Sequence, residues 1–325
     1  MTLHRPRFFQ IGRKQLDVPI YFPSVSSVKT AISPLDYVLV LSALRIEQFL
    51  ISAFDVHFAD EQTQATIKAT IADAMSRGTN VLMDSGNYES FWKEKRNSWK
   101  QDNYHSILTQ INTAFAFSFD EQSPPNKFSD HLRLICRRYE KDKAVNPQTP
   151  IIPIIHDNTE NLSSLCVKVI EATDVPMIAI PERCLGKGIF SRARRVSEIR
   201  KAINEIGQYV GIHLLGTGNP ISIAIYTLAG ADSYDGLEWC RTVVDHKTAK
   251  LFHFAHADFF LEQTEYGDMD IDFYPQTLAH NLSFYQRWMN KLSQSIHNDA
   301  GVEFCKINFP GRIYSACADE LRWTS

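Results

Sequence analysis

Five short apolar runs of this chain each end in an ionisable side chain: VLM before Asp84, AFAFSF before Asp120, IPII before His156, MIAIP before Glu182 and a shorter ADSY before Asp235. Side chains of these types can give, take or hold a proton, and a carboxylate can also steady a developing positive charge. Continuous apolar runs of this length suit strands buried on both faces. Helix-like segments separate them, so the pattern predicts a parallel sheet. A charge just past such a strand stands at its C-terminal end, where α/β barrels gather their chemistry. Each residue alone could cap the next helix or face solvent; their recurrence favours an active site assembled from several strand ends.

Positioning those residues requires strands alternating with helices, and the chain supplies them. Residues 18–22 read as a first strand, and 37–44 and 49–54 are further apolar runs. Residues 61–77 carry Ile67, Ile71, Ala74 and Met75 on one helical face, with Gly78 as C-cap before the strand 81–83. The spacing predicts a surface helix over 92–111, a proline-bearing loop over 120–130, a basic helix over 131–143 and a loop over 146–150. Helices follow over 158–171 and 192–206, and Asn219-Pro220 starts another with a polar N-cap and proline at its first position. A long amphipathic segment covers 274–297, and the final residues read as irregular. No linker, internal repeat or low-complexity tract interrupts the chain. The expectation is one TIM (β/α)8-barrel domain over 1–325, with 274–325 as a helical C-terminal cap.

A chain of 325 residues suits one such barrel, and 44% apolar residues can fill a large core. A net charge of −3 and a pI of about 6.4 give no global basic field of the kind that advertises nucleic acid, although a local basic face would suffice. Six scattered cysteines include no CxxC pair, which suggests reduced thiols in a cytosol. No run approaches the roughly 18 apolar residues of a membrane span, and no apolar leader follows the basic N-terminus. A soluble, cytoplasmic protein is expected.

Taken in order, several segments resemble those of the tRNA-guanine transglycosylases and their DNA-modifying relatives. VLMDSGNY (81–88) resembles that family's DSGG-aromatic segment, SFDE (118–121) its FDE, and HLLGTGNP (213–220) its LMGVG-x-P turn. GADSYDG (230–236) is similar to its G-x-D-M-F-D-C, and LAHNLSFYQRWM (278–289) to its late HN-bearing helix. The resemblance runs over residues 80–290 and implies a TIM barrel that cleaves a base from its sugar through a covalent aspartyl intermediate. It makes Asp235 the nucleophile, attacking an anomeric carbon of oxocarbenium character. It makes Asp84 the general acid/base that serves the departing base. Asp120 would accept hydrogen bonds from the base's Watson–Crick edge, Tyr88 and Leu215 would sandwich the flat ring, and Gly216 with Gly218 would let backbone approach it. Turn, cap and core roles are the alternatives for these residues.

Three departures shape the expected substrate. His156, followed by Asp157, stands where the family has the glutamine that reads guanine, and Pro181-Glu182 where it has a glycine pair. Both change the pocket's shape and polarity. The family's zinc-binding C-x-C-x-x-C run has no counterpart: His280 keeps the histidine's place, but no cysteine lies between Arg241 and His280. His253 and His256 could join it only in a three-histidine site, so no metal or other cofactor is expected. The stretch that helps the family hold tRNA is replaced by EWCRTVVDHKTAK (238–250), where Arg241 alone keeps its position.

These losses argue against tRNA and for DNA. Basic residues gather over 133–143 and 187–201, and Lys187, Arg192, Arg194, Arg195 and Arg241 are candidates to grip phosphates, unless the runs are solvated helix faces. The expected activity is excision of a flipped-out, non-standard base from DNA, suited to defence against phages with modified genomes. Exchange of guanine for a 7-deazaguanine is the alternative, followed by action on tRNA and by a non-catalytic binding subunit. Free nucleobase would be product or co-substrate. The family dimerises through its zinc region, whose loss favours a monomer.

Overall fold

The computed structural model describes residues 4–95 and 98–323. An antiparallel hairpin of β1 (Phe8–Ile11) and β2 (Lys14–Asp17) leads into eight parallel strands. These are β3 (Ile20–Val25), β4 (Gln48–Ser52), β5 (Asn80–Asp84), β6 (Phe115–Phe117), β7 (Ile151–Ile152), β8 (Met177–Pro181), β9 (Gly211–Leu215) and β10 (Ser233–Gly236). They pair in the order β7-β6-β5-β4-β3-β10-β9-β8, and a bridge from Ile154 to Ala179 joins the two ends. The result is a nearly closed α/β barrel of the TIM type, with helices on its outer surface.

Two-residue alternation decides which side chains meet inside. On β4, Phe49 and Ile51 face the outer helices while Leu50 faces in; on β5, Val81 and Met83 face out and Leu82 in. Phe22, Leu50, Leu82, Phe115, Phe117, Ile152, Met177 and Ala179 fill the interior, and Phe9, Ile11 and Leu16 of the hairpin pack onto the same cluster. Each fully buried Phe, Leu or Met here is worth about 2 kcal/mol of transfer free energy, which makes this layer a stiff floor. One step beyond it, the same alternation turns Ser24, Asp84, Leu215 and Asp235 inward at the strands' C-terminal ends.

Local signals set most helix limits. Asp60 caps Glu61–Ser76 by accepting from the Thr63 amide at 2.9 Å, and Gly78 follows the C-cap Arg77 at φ +100°. Asn219 caps Pro220–Ala229 through the amides of Ile221 and Ser222. The remaining helices expected before residue 210 appear as Phe128–Val145, Leu162–Thr173 and Ile189–Asn204.

Two expectations fail. The single helix over 92–111 is instead two, Asn87–Trp92 and Gln101–Gln110, and Arg96 and Asn97 between them lie outside the described residues. Glu94, at φ +55°, lies just beyond the first helix, and Trp99 turns inward so that its indole donates to the Ser85 carbonyl at 3.1 Å. The last residues are not irregular: Gly301–Asn308 and Gly311–Leu321 are helices that bury Phe304, Cys305 and Cys317. Their apolar positions are few and split between two short turns, so packing rather than periodicity reveals them.

Between β10 and the long helix Phe273–His297 lie the short helix Glu238–Arg241, the hairpin β11 (Thr242–Val244) with β12 (Leu251–His253), and three 3-10 turns. Phe273–His297 packs on β3 and on Pro220–Ala229, the place of the outer helix after the last barrel strand. Its Tyr285 stacks on Tyr21, with ring centroids 4.6 Å apart, and donates to the Gly218 carbonyl at 2.6 Å. Among the described residues no helix is long and apolar enough to cross a membrane.

Candidate active site

β10 turns Ser233 and Asp235 into the barrel, and its register places Phe22 of β3 beside Asp235 and His213 of β9 beside Ser233. The Ser24 hydroxyl donates to Asp235 Oδ2 at 2.7 Å, while His213 Nε2 and the Gly216 amide donate to Oδ1, each at 3.1 Å. His213 Nδ1 accepts the Ser233 hydroxyl at 2.7 Å, which leaves the imidazole proton on Nε2 for Asp235. Three donors, one from β3 and two from β9 and its end, therefore orient one carboxyl, and Oδ2 is the less encumbered oxygen.

Asp84 ends β5, and the turn Ser85-Gly86 leads directly into Asn87–Trp92. Gly86 sits at φ +82°, and a Cβ there would stand 2.4 Å from the Phe54 Cβ, so the turn requires glycine. Its amide donates to Asp84 Oδ2 at 3.0 Å. Burial, followed by the charges of Asp120 and Asp235, pushes the Asp84 carboxyl up to about 7 against the pull of that amide.

Asp120 behaves in the opposite way. Burial would raise it, but its bond with His156 and the donors of Ser85 and Asn87 outweigh burial and hold it at about 2. Ser85 Oγ and Asn87 Nδ2 reach Oδ1 at 2.7 and 2.8 Å; His156 Nε2 and Gln122 Nε2 reach Oδ2, each at 2.6 Å. Burial disfavours the His156 cation, yet Asp120 raises its pKa to about 9. The two form a buried ion pair whose charges offset one another.

Asp84, Tyr88, Asp120, His156, Glu182, Arg192, Leu215, Gly216, Asp235 and Arg241 line one cavity of about 310 Å³ at the C-terminal ends of the strands. Tyr88 and Leu215 follow or end β5 and β9, the third and seventh strands of the ring, and so face each other across it. Glu182 Oε1 accepts from Arg192 and from the Tyr226 hydroxyl, each at 2.8 Å, which makes that wall rigid. A cavity of about 540 Å³ opens at the strands' N-terminal ends, among Asp17, Arg45, Glu47 and Arg77, away from all the predicted site residues.

The other basic candidates stand elsewhere. Arg194 reaches Glu320 of the last helix at 3.4 Å, Arg195 pairs with Glu198 at 3.2 Å, and Lys187 is exposed in the turn before Ile189–Asn204. Arg183 takes their place, lining the cavity, bonding Gln122 and lying 3.4 Å from His156 Nδ1.

His280 does not fit zinc. Its Nε2 is bonded to the Val244 carbonyl at 2.8 Å, and the His246 ring packs 4.1 Å away. Among the described residues no group of three or more His, Cys, Asp or Glu side chains is placed to hold a metal.

Sequence reasoning missed Ser24, His213, Arg183, Glu89 and Glu238 as cavity residues or their supports. The inward parity of β3, β9 and β10 carried the signal for Ser24 and His213. Glu89 is 3% exposed and accepts the hydroxyls of Ser26 at 2.5 Å and Ser52 at 3.0 Å. Burial, with the charges of Asp55 and Asp84, lifts it well above the ordinary carboxyl range. Burial also pushes Glu238 up to about 7. The cavity thus has an acidic interior crowded with carboxyls and arginines near its mouth. No protein-family model and no curated protein matches the chain.

Proposed function

We propose that the protein cleaves the N-glycosidic bond of a flipped-out, modified base in DNA. The observation that carries this reading is the pairing of two carboxyls in one cavity: Asp235, oriented by Ser24, His213 and Gly216, and Asp84, pushed up to about 7. One is set to attack and the other to give up a proton near neutrality, the division of labour that glycoside cleavage needs.

Asp235 Oδ2 bonds to C1′ as the C1′–N bond breaks, and the bonding electrons leave with the base. Asp84 donates its proton to that base. Water then attacks C1′ of the aspartyl ester while the Asp84 carboxylate takes the water's proton. Asp235 is released and an abasic sugar remains. The Asp235 carboxylate, in place before the bond forms, steadies the positive charge that builds on the sugar. The volume falls at the lower end of ordinary small-molecule sites, roughly 300–1,000 Å³, which suits one nucleotide rather than a duplex. Tyr88 and Leu215 would hold the flat ring, Glu182 and His156 would shape its edge, and Arg241 would meet phosphate. A base donor reaches Asp120 by displacing the Gln122 amide, since the other three donors are anchored. This carboxyl chemistry needs no metal step.

The test is incubation with natural and base-modified DNA, followed by mass spectrometry of the released bases. Free base and abasic sites support excision. Incorporation of a supplied 7-deazaguanine supports exchange at the same two carboxyls. Release from no DNA, with activity on tRNA, overturns the DNA reading.

A further inference from the structure

Six carboxyl groups line the cavity: Asp84, Glu89, Asp120, Glu182, Asp235 and Glu238. Five take at least one hydrogen bond from another residue. Among the described residues, Glu238 takes none from any other. It opens the helix Glu238–Arg241, three residues beyond Asp235, and its Oε2 lies 2.0 and 2.5 Å from where a Cβ on Gly218 or Gly236 would stand. Glycine at those two positions clears the space the carboxyl occupies. The carboxyl is part-buried in the cavity wall, takes no hydrogen bond from another residue, and is pushed up to about 7 by burial, against the pull of the Arg241 charge. An apolar side chain would fill the same wall without leaving a carboxyl unpaired. Arg241, at the other end of the same helix, is exposed at the cavity's edge, and its guanidinium makes no hydrogen bond among the described residues.

We infer that Glu238 determines specificity: its carboxyl accepts a hydrogen bond from a hydroxyl or amino group of the substrate nucleoside, beside the carbon that Asp235 attacks. Arg241 meets the adjoining phosphate. The inference rests on the nucleoside reading of the cavity. The donor has two possible sources, a sugar hydroxyl or an exocyclic group of the base. A substrate that presents only acceptors leaves Glu238 unpaired and is rejected.

Calorimetric titration of the whole protein with paired nucleosides separates these sources: ribo- against 2′-deoxy- and 2′,3′-dideoxy-nucleosides, and guanosine against inosine. Wild type is expected to bind at least one donor-bearing nucleoside roughly tenfold or more tighter than its donor-lacking twin. Glu238→Ala should erase that preference, and Glu238→Gln, whose amide oxygen still accepts, should retain part of it. Both variants should melt close to wild type, since the part-buried carboxyl takes no hydrogen bond from another residue. A preference lost with a sugar hydroxyl identifies the sugar, and one lost with the amino group identifies the base. Undiminished preference in Glu238→Ala overturns the assignment, as does a lower melting temperature with unchanged binding. If wild type binds none of these nucleosides, the nucleoside reading itself falls. If only the Glu238 result fails while Asp235→Asn still abolishes base release from DNA, that reading stands without Glu238.

Discussion

Asp232, just before β10, and Asp235, near that strand's C-terminal end, stand three residues apart, and their surroundings differ in kind. Asp232 is fully buried and accepts from Arg5 Nε at 2.7 Å, Arg200 Nη2 at 2.6 Å, Tyr209 Oη at 2.5 Å and the Ile212 amide at 2.9 Å. Two arginines pair with it, and the network ties the N-terminal segment to the helix Ile189–Asn204. Asp235 meets a hydroxyl, an imidazole and a backbone amide, with no arginine or lysine bonded to it, and opens onto a cavity. The first arrangement locks the barrel; the second leaves a carboxyl free to react. One strand thus carries a carboxyl tied to two arginines at its start and the proposed nucleophile at its end.

Exchanging asparagine at the two positions should separate the effects most strongly. Asp235→Asn is expected to lower base release by roughly 10⁴-fold or more while DNA binding and melting temperature persist. Asp232→Asn leaves the buried Arg200 and the part-buried Arg5 without their counter-charge and should cost about 3 to 5 kcal/mol in urea unfolding, with the folded fraction still active. Similar losses of both kinds at both positions would break the comparison.

Asp84→Asn comes next, with a loss of roughly 10²- to 10⁴-fold, smallest on bases that leave easily without a proton. If, as proposed, the acid form of Asp84 serves the leaving base, the wild-type rate should fall as pH rises through about 7. Asp84→Asn should lack that limb of the profile.

Stability gives a third test. Asp84 and Glu238 are both raised above their unfolded values, so the stability linked to each is fully present below the unfolded pKa. It is lost as pH rises from about 4 through about 7. The Asp84→Asn/Glu238→Gln double variant should show a flatter dependence of urea midpoint on pH over that window. A double variant whose curve keeps the wild-type slope across that window would contradict the placement of both groups.

The smallest effect belongs to the rim. Arg241→Ala should weaken DNA binding uniformly across sequences and reduce the slope of log K against log salt by about 1, whereas Arg194→Ala, tied to Glu320, should change neither.

The alternation of apolar runs made the barrel readable, since strands buried on both faces leave continuous apolar segments and a polar break at each end. The same rule brought Asp84, Asp120, His156, Glu182 and Asp235 to one cavity. Charge runs were a poorer guide. Arg192, Arg194 and Arg195 sit within four residues on one helix, yet only Arg192 lines the cavity, because 100° of rotation per residue aims neighbours apart. Glu89 and Glu238 were hidden because a carboxyl in a turn or short helix looks like a surface residue until its burial is known. Trp99 broke the helix expected over 92–111 through a hydrogen bond to Ser85 that no local pattern records.

The central claim is that Asp235 bonds to C1′ of a nucleotide. It is tested most directly by acid-quenching the Asp84→Asn protein on substrate DNA and mapping peptides by mass spectrometry. A nucleotide-derived mass increment is expected on Asp235 and absent from Asp235→Asn. An adduct on another residue, or base release by Asp235→Asn at the wild-type rate, would contradict it.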